Sequence, residues 1–283
     1  MNKIVRTLTN PVRNILKAIS PKTFVKIQYK SITGHKLDLN NPTRYTEKLQ
    51  YLRLFSYPKN ELVCKCAGRI GAREYVKEQG YENLLIQTYG IYNSFDEIDF
   101  SKLPMECVIK TTHSSQMNHI SWNIHEEDKI QLRKKFNKYL SINYGKKTCE
   151  PHYSKIKPQI IIEKLLLENG TTPIEYKIHC FNGIAKYMYI VTGRGKDIRY
   201  TNYYIDWKRF DGSQFNGWKS ADQDIQKPSN WDEMVKIAES LAKPFPFVRV
   251  DLYNINGKIY FSELTFTPAK GTLKFNDDNV DFE

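Results

Sequence analysis

Four side chains near the C-terminal end of the chain are of kinds that handle phosphate and divalent cations: Arg249, Asp251, Glu263 and Thr265. They lie in the stretch from Val248 to Pro268, where two β-branched and aromatic runs flank Asn256-Gly257, a strong hairpin signal. Side chains on a strand alternate faces, so Val248, Val250 and Leu252 share one face and Arg249 and Asp251 the other. On the return run Leu264 and Phe266 oppose Glu263 and Thr265 in the same way. Register decides whether the acids meet. In a regular ladder, a two-residue loop at Asn256-Gly257 sets Asp251 opposite Ser262 and sends Glu263 to the wrong face. A three-residue loop, Asn256 to Lys258, pairs Asp251 with Glu263 and Arg249 with Thr265, and the pattern predicts this loop. Like charges directly opposite each other cost about 0.2–1 kcal/mol, so such a pair calls for a cation. Hard oxygen donors suit Mg²⁺ carried on substrate phosphates. The plainer alternative is a solvated hairpin face whose acids meet nearby lysines.

The elements that must position these groups belong to a chain of 283 residues, 40% hydrophobic and 26% charged, long enough for one large domain or several small ones with real cores. Helix-like and strand-like segments both occur, which predicts an α+β architecture. Net charge is +12, and residues 1–37 hold eight Lys or Arg and no acid. Within that arm Ile4, Val5, Leu8, Val12, Ile15, Leu16 and Ile19 alternate with Lys3, Arg6, Arg13 and Lys17, a pattern for an amphipathic helix broken near Pro11. Such a segment either packs on its own domain or lies peripherally on an anionic inner-membrane surface. No stretch has the length of a transmembrane span or the apolar core of a signal peptide, so the expected location is cytoplasmic. Basic residues do not interleave with aromatics on a strand, which argues against nucleic acid as a partner. Cys64, Cys66, Cys107, Cys149 and Cys180 lack metal-ligand spacing and read as reduced thiols.

In chain order, Tyr45 to Phe55 and Ala67 to Gln79 read as helices, and Ile86 to Tyr92 as a strand. The run Glu106 to Lys110 reads as a buried strand that enters the hydroxyl-rich loop Thr111 to Met117. Glu126 to Tyr144 reads as a basic helix, and Gln159 to Leu167 as an apolar strand interrupted by Glu163-Lys164. Glu175 to Phe181 and Ala185 to Val191 flank Asn182-Gly183, a second hairpin signal. Trp231 to Ala242 reads as a helix started by Ser229 or Asn230 and stopped before Pro244.

Taken in this order, the strand ending at Lys110, the strand with Glu163-Lys164, the hairpin opening on Glu175-Tyr176-Lys177 and the final hairpin resemble an ATP-grasp enzyme. More narrowly they resemble the TupA-like ATP-grasp family of bacterial polysaccharide (teichuronopeptide-type) biosynthesis. The most specific pieces are Ala72-Arg73-Glu74-Tyr75-Val76, Ser94 to Phe100, Tyr176 to Gly183 and Phe247 to Pro268. The resemblance implies two α+β subdomains clasping a nucleotide, with boundaries at 1–104 for the basic arm and N-terminal region, 105–165 for the lid and 166–283 for the C-terminal subdomain. It implies ATP and Mg²⁺ as cofactors. Lys110 would reach the phosphates, and the loop with Ser114 and Ser115 would fold over them as a lid. Glu163, Lys164 and Leu166 would hold the adenine from the hinge strand. Glu175 would meet the ribose and Lys177 the triphosphate. Asp251, Glu263 and Thr265 would carry the metal, and Arg249 with Lys177 would act in catalysis. Arg69 stands where a phosphate-contacting lysine is expected, and the loop at Ser114 has no glycine.

The implied activity is ATP-dependent carboxylate–amine ligation through an acyl phosphate, joining an amino acid or amine to a sugar or uronic acid. The rival reading is a glycosyltransferase of capsule or O-antigen synthesis, whose Asp-x-Asp signature is matched only by Asp222-Gln223-Asp224 in a polar stretch.

Overall fold

Two antiparallel sheets, each alternating an apolar face with a polar one, organise the computed structural model, which describes residues 10–210, 218–275 and 277–282. The first contains β1 (Thr88–Tyr92), β2 (Cys107–Thr111), β3 (Asn118–Ser121) and β4 (Ile160–Lys164), in the order β1-β4-β2-β3. Cys107 and Ile109 on β2 and Ile160 and Ile162 on β4 turn one face toward Leu132 and Phe136 of the helix Lys129–Leu140. Val108, Lys110 and Glu163 take the other face, as strand alternation requires. The basic helix is shorter than Glu126 to Tyr144 because the Asp128 side chain accepts from the amides of Ile130 and Gln131, capping the helix there.

The second sheet holds β5 (Glu175–Phe181), β6 (Ile184–Thr192), β7 (Arg199–Tyr204), β8 (Phe247–Ile255) and β9 (Lys258–Thr265), in the order β7-β6-β5-β8-β9. Ile178, Met188, Val250 and Leu264 pack on Met234, Ile237 and Leu241 of the helix Trp231–Ala242, which starts directly after Asn230. Helices Glu61–Cys66 and Arg69–Glu78 add Val63, Ala72 and Val76 to the same core.

The final hairpin corrects one expectation. Its turn is the two-residue Asn256-Gly257, with φ of 51° and 80°, and not the three-residue loop. Ile255 pairs with Lys258 and Leu252 with Phe261, yet Asp251 still pairs with Glu263 and Arg249 with Thr265. A β-bulge at Ser262 absorbs the extra residue between these pairs, so Glu263 returns to the face of Asp251.

The N-terminal arm falls into two parts. Residues 1–9, with Lys3, Ile4, Val5, Arg6 and Leu8, lie outside the described residues. The helix Asn10–Ile19 runs through Pro11 instead of breaking there, because a proline in the first helical turn removes no intrahelical bond. Val12, Ile15 and Ile19 on it are exposed. The next helix, Pro21–Thr33, packs on its own domain by burying Phe24, Val25 and Tyr29 against Leu37, Leu39 and Cys149. All five cysteines are free and buried. Among the described residues no helix is long and apolar enough to cross a membrane.

Candidate active site

Register aligns the polar face of the second sheet into rows. Asn202, Tyr189, Lys177, Asp251 and Glu263 lie opposite one another across all five strands, and His179, Arg249 and Thr265 form the adjacent row. Arg249 lies at the centre. Its Nε and Nη2 both donate to Asp251 at 2.6 Å, and Nη2 also reaches Thr265 Oγ1 at 2.9 Å and Glu263 Oε1 at 3.3 Å. Its Nη1 donates to the Tyr189 hydroxyl at 2.7 Å. Lys177 Nζ bonds Asp251 Oδ2 and lies 2.9 Å from Glu175 Oε2, while Arg194 grips Glu175 through two nitrogens. Buried charges need such pairing, since an unpaired one costs several kcal/mol, roughly 3–5.

These contacts fix protonation. Burial works against the Lys177 ammonium, but Asp251 and Glu175 outweigh it and hold its pKa above the ordinary value. Burial pushes the Glu263 carboxyl up, yet Lys177, Arg69 and Arg249 together pull it down to about 2. Glu175 is likewise held below its usual range, with burial opposed by Lys177 and Arg194.

Across the cleft, Lys110 Nζ donates to Glu163 Oε2 at 2.7 Å, and Arg73 Nη1 to Glu163 Oε1 at 3.0 Å. Burial opposes ionisation of Glu163, but Lys110 and then Arg73 keep its pKa low. The Thr111–Met117 connection is anchored at its base. Thr112 accepts Arg69 N–H on its carbonyl, donates its amide to Gln159 O at 2.9 Å and its hydroxyl to Lys157 O at 2.9 Å. Ser115 and Gln116, the latter at φ 63°, lie beyond that anchor.

Two cavities meet over the acid cluster. The larger, of about 780 Å³, is walled by Val108, Lys110 and Ile120 from the first sheet and Trp122 just after β3, by Lys164 at the end of β4 with Leu165 and Leu166 beyond it, and by Glu175, Tyr253 and Glu263 from the second sheet. The smaller, of about 580 Å³, is lined by Ser114, Tyr144, Glu150, His179, Tyr189, Arg249, Thr265, Thr267 and Lys270, with the stacked pair Tyr200 and Trp218. Arg69, Ser115, Gln116, Lys177, Arg194, Ser262 and Glu263 border both. The structure thus brings Lys110, Ser115, Lys164, Leu166, Glu175, Lys177 and Glu263 around one cavity, and Ser114, Arg249 and Thr265 onto the other. Asp251 and Glu163 line neither. Asp251 lies beneath Arg249 and Lys177, and Glu163 anchors Lys110 and Arg73. Asp222 and Asp224 lie in exposed coil against Arg199 and Arg209 and line neither cavity.

Sequence reasoning missed Arg194, Tyr189 and Glu150. Arg194 carried a signal, since it is flanked by two glycines of positive φ directly after β6, a loop shaped to present one side chain. Glu150 carried none.

Two antiparallel sheets facing a basic cleft, with an Arg-x-Asp strand paired to a Glu-x-Thr strand, define an ATP-grasp fold. The chain belongs to the TupA-like ATP-grasp family, whose profile matches residues 47–283. Among solved structures it is similar to D-alanine–D-alanine ligase from Bacillus anthracis, at 14% identity and TM-score 0.47, over 72% of this chain and 58% of that one. D-alanine–D-alanine ligase from Helicobacter pylori matches at 12% identity and TM-score 0.46, over 84% of this chain and 64% of that one. An ADP complex of N5-carboxyaminoimidazole ribonucleotide synthetase matches at 14% and 0.46, over 81% and 52%. The chain therefore spans roughly half to two thirds of the length of these proteins. No curated protein matches it.

Proposed function

We propose that the protein is an ATP-dependent carboxylate–amine ligase working through an acyl phosphate. The observation that supports this most is the meeting of the two cavities over Lys177 and Glu263, one shaped between the sheets and the other over Arg249. ATP would occupy the larger. Lys164 to Leu166 would present main-chain groups to the adenine edge, Leu166 its side chain to the ring and Glu175 its carboxylate to the ribose. Lys110, Lys177 and the Ser114-Ser115 loop would reach the phosphates, with the buried Glu163 fixing Lys110 in place.

Magnesium fits the donor set. Asp251 Oδ2, Glu263 Oε1 and Thr265 Oγ1 already converge on one cationic nitrogen, Arg249 Nη2, at 2.6, 3.3 and 2.9 Å. Among the described residues no group of three or more His, Cys, Asp or Glu gathers for a metal. Magnesium is instead held by one or two carboxylates together with substrate phosphates. Asp251, Glu263 and Thr265 would hold it, and once bound it neutralises charge on the phosphate oxygens.

The acid substrate would enter the smaller cavity, where Arg249 and Lys177 orient its carboxylate. A carboxylate oxygen bonds to the γ-phosphorus as ADP leaves. The amine nitrogen then bonds to the carbonyl carbon, and the carbon–oxygen bond to phosphate breaks. The guanidinium of Arg249, held through Nε by Asp251 and through Nη1 by Tyr189, would face the transferring group and stabilise its charge. No protein nucleophile is required. The Tyr200–Trp218 stack, with centroids 3.8 Å apart on the wall of the smaller cavity, favours a sugar or uronic acid as the acid, and the resemblance carried by the sequence motifs favours one from a surface polysaccharide.

Turnover tests the reading. With Mg-ATP, a panel of uronic acids and a panel of amino acids, one pair is expected to release equal ADP and phosphate. AMP, or no turnover with any pair, contradicts it. The exposed Val12, Ile15 and Ile19 beside Lys17 favour a cytoplasmic protein resting on the inner leaflet. Sedimentation with phosphatidylglycerol vesicles, lost in Ile15→Glu/Ile19→Glu, checks this; equal sedimentation of both proteins rules it out.

A further inference from the structure

Glu150 is 3% exposed and lines the smaller cavity. One carboxylate oxygen, Oε1, accepts from the Thr267 hydroxyl. The other, Oε2, is buried and has no hydrogen-bond partner among the described residues. A buried carboxylate oxygen left unmet is costly, and native structures rarely leave one so. The buried guanidinium of Arg53 lies within electrostatic reach, yet it donates to the carbonyls of Cys149, Thr148 and Lys270 and to Gln50, not to the carboxylate. The helix Pro21–Thr33 brings a second acceptor to the same cavity, since Gln28 Oε1 is also buried without a partner. The other charges on this wall are positive, Arg69, Lys177, Arg194, Arg249 and Lys270, apart from Glu263, which is held by Arg249 and faces Arg69.

An alkylammonium group is three donors and no acceptor. It complements an unmet carboxylate oxygen, and Gln28 Oε1 is a further unmet acceptor on the same cavity wall. Thr267 follows Thr265 by two residues, and Thr265 touches both Arg249 and Glu263. Thr265 and Thr267 are at most about 7 Å apart along the chain, and Glu150, Thr265, Arg249 and Glu263 line the same cavity. We infer that Glu150, assisted by Gln28, is the docking point for the ammonium group of the amine substrate, and so sets the chemistry of the second substrate as a primary amine. The inference rests on the ligase reading for the fate of that amine, not for its binding.

Glycinamide hydrochloride, titrated calorimetrically into nucleotide-free protein, is the probe. Binding to the wild type is expected to weaken about 10- to 100-fold in Glu150→Gln, the scale of a lost charge-assisted hydrogen bond, and to survive largely in Glu150→Asp. Should Glu150→Gln not fold, Gln28→Leu removes the second acceptor alone and is expected to weaken binding in the same direction. In turnover, Glu150→Gln raises KM for the amine and not for the acid. Absence of binding to the wild type, binding indifferent to both substitutions, or a rise confined to the acid's KM overturns the inference. Glu150-dependent binding without any turnover leaves the ammonium site standing and sinks the ligase reading. Turnover indifferent to Glu150→Gln does the reverse.

Discussion

Glu263 titrates against three cations, and the sign of its effect on stability follows from that. Its folded pKa of about 2 lies below the ordinary carboxylate value, roughly 4.3. A depressed carboxyl stabilises the fold fully above the unfolded pKa, and that stability disappears as pH falls through the folded pKa. Glu263→Gln is therefore expected to flatten the loss of stability between pH of about 4.3 and 2, read as the urea midpoint at each pH; an unchanged slope would mean the carboxyl is not coupled to Lys177, Arg69 and Arg249. Lys110 tests the opposite wall. Lys110→Met removes the charge bordering the larger cavity while Arg73 still holds Glu163 at 3.0 Å, so the fold should persist. KM for ATP should rise about 10- to 100-fold, as for loss of one charge-assisted contact. An unchanged KM for ATP would remove Lys110 from the nucleotide site.

The hairpin β8–β9 shows what a strand pattern can and cannot say. Alternation put Arg249 and Asp251 on one face, and the need to bring Glu263 opposite them was legible before any coordinates. The means was not. A count of loop residues assumes a regular ladder, whereas a bulge at Ser262 allows the tighter Asn256-Gly257 turn to give the same pairing. Gly257 sits at φ 80°, and a Cβ there meets nothing within 4 Å. Gly257→Ala therefore costs only backbone strain, roughly 1–2 kcal/mol, seen as a lower urea midpoint with turnover retained. A loss of turnover without a stability change would show that the turn, and not the bulge, sets the register. The same alternation made Thr265 visible, whereas Lys110, Glu163 and Lys177 stood out only through the resemblance that their strands, taken in order, bear to an ATP-grasp enzyme. Glu150 stayed hidden for a physical reason. It lies between a short helix and a 3₁₀ turn, and its partner Thr267 is 117 residues away, so no local period marks it.

On the scale of the molecule, each sheet has its own helix-backed core, and the polar faces of both are left to form the cleft between them. That division explains why the buried ion pairs concentrate there: Lys110 and Arg73 on Glu163 from one side, Lys177 and Arg249 on Asp251 from the other. Such clusters stabilise little for their desolvation, and positioning phosphate and carboxylate is a use that rewards them. In the proposed reaction the acid substrate, not water or a protein side chain, attacks the nucleotide where the two cavities open onto one acid cluster. Isotope transfer measures this directly. With an ¹⁸O-labelled uronic acid, an amino acid and Mg-ATP, the account predicts one carboxylate ¹⁸O in the released inorganic phosphate and none in ADP. Label appearing in AMP, or phosphate released without label, would contradict it.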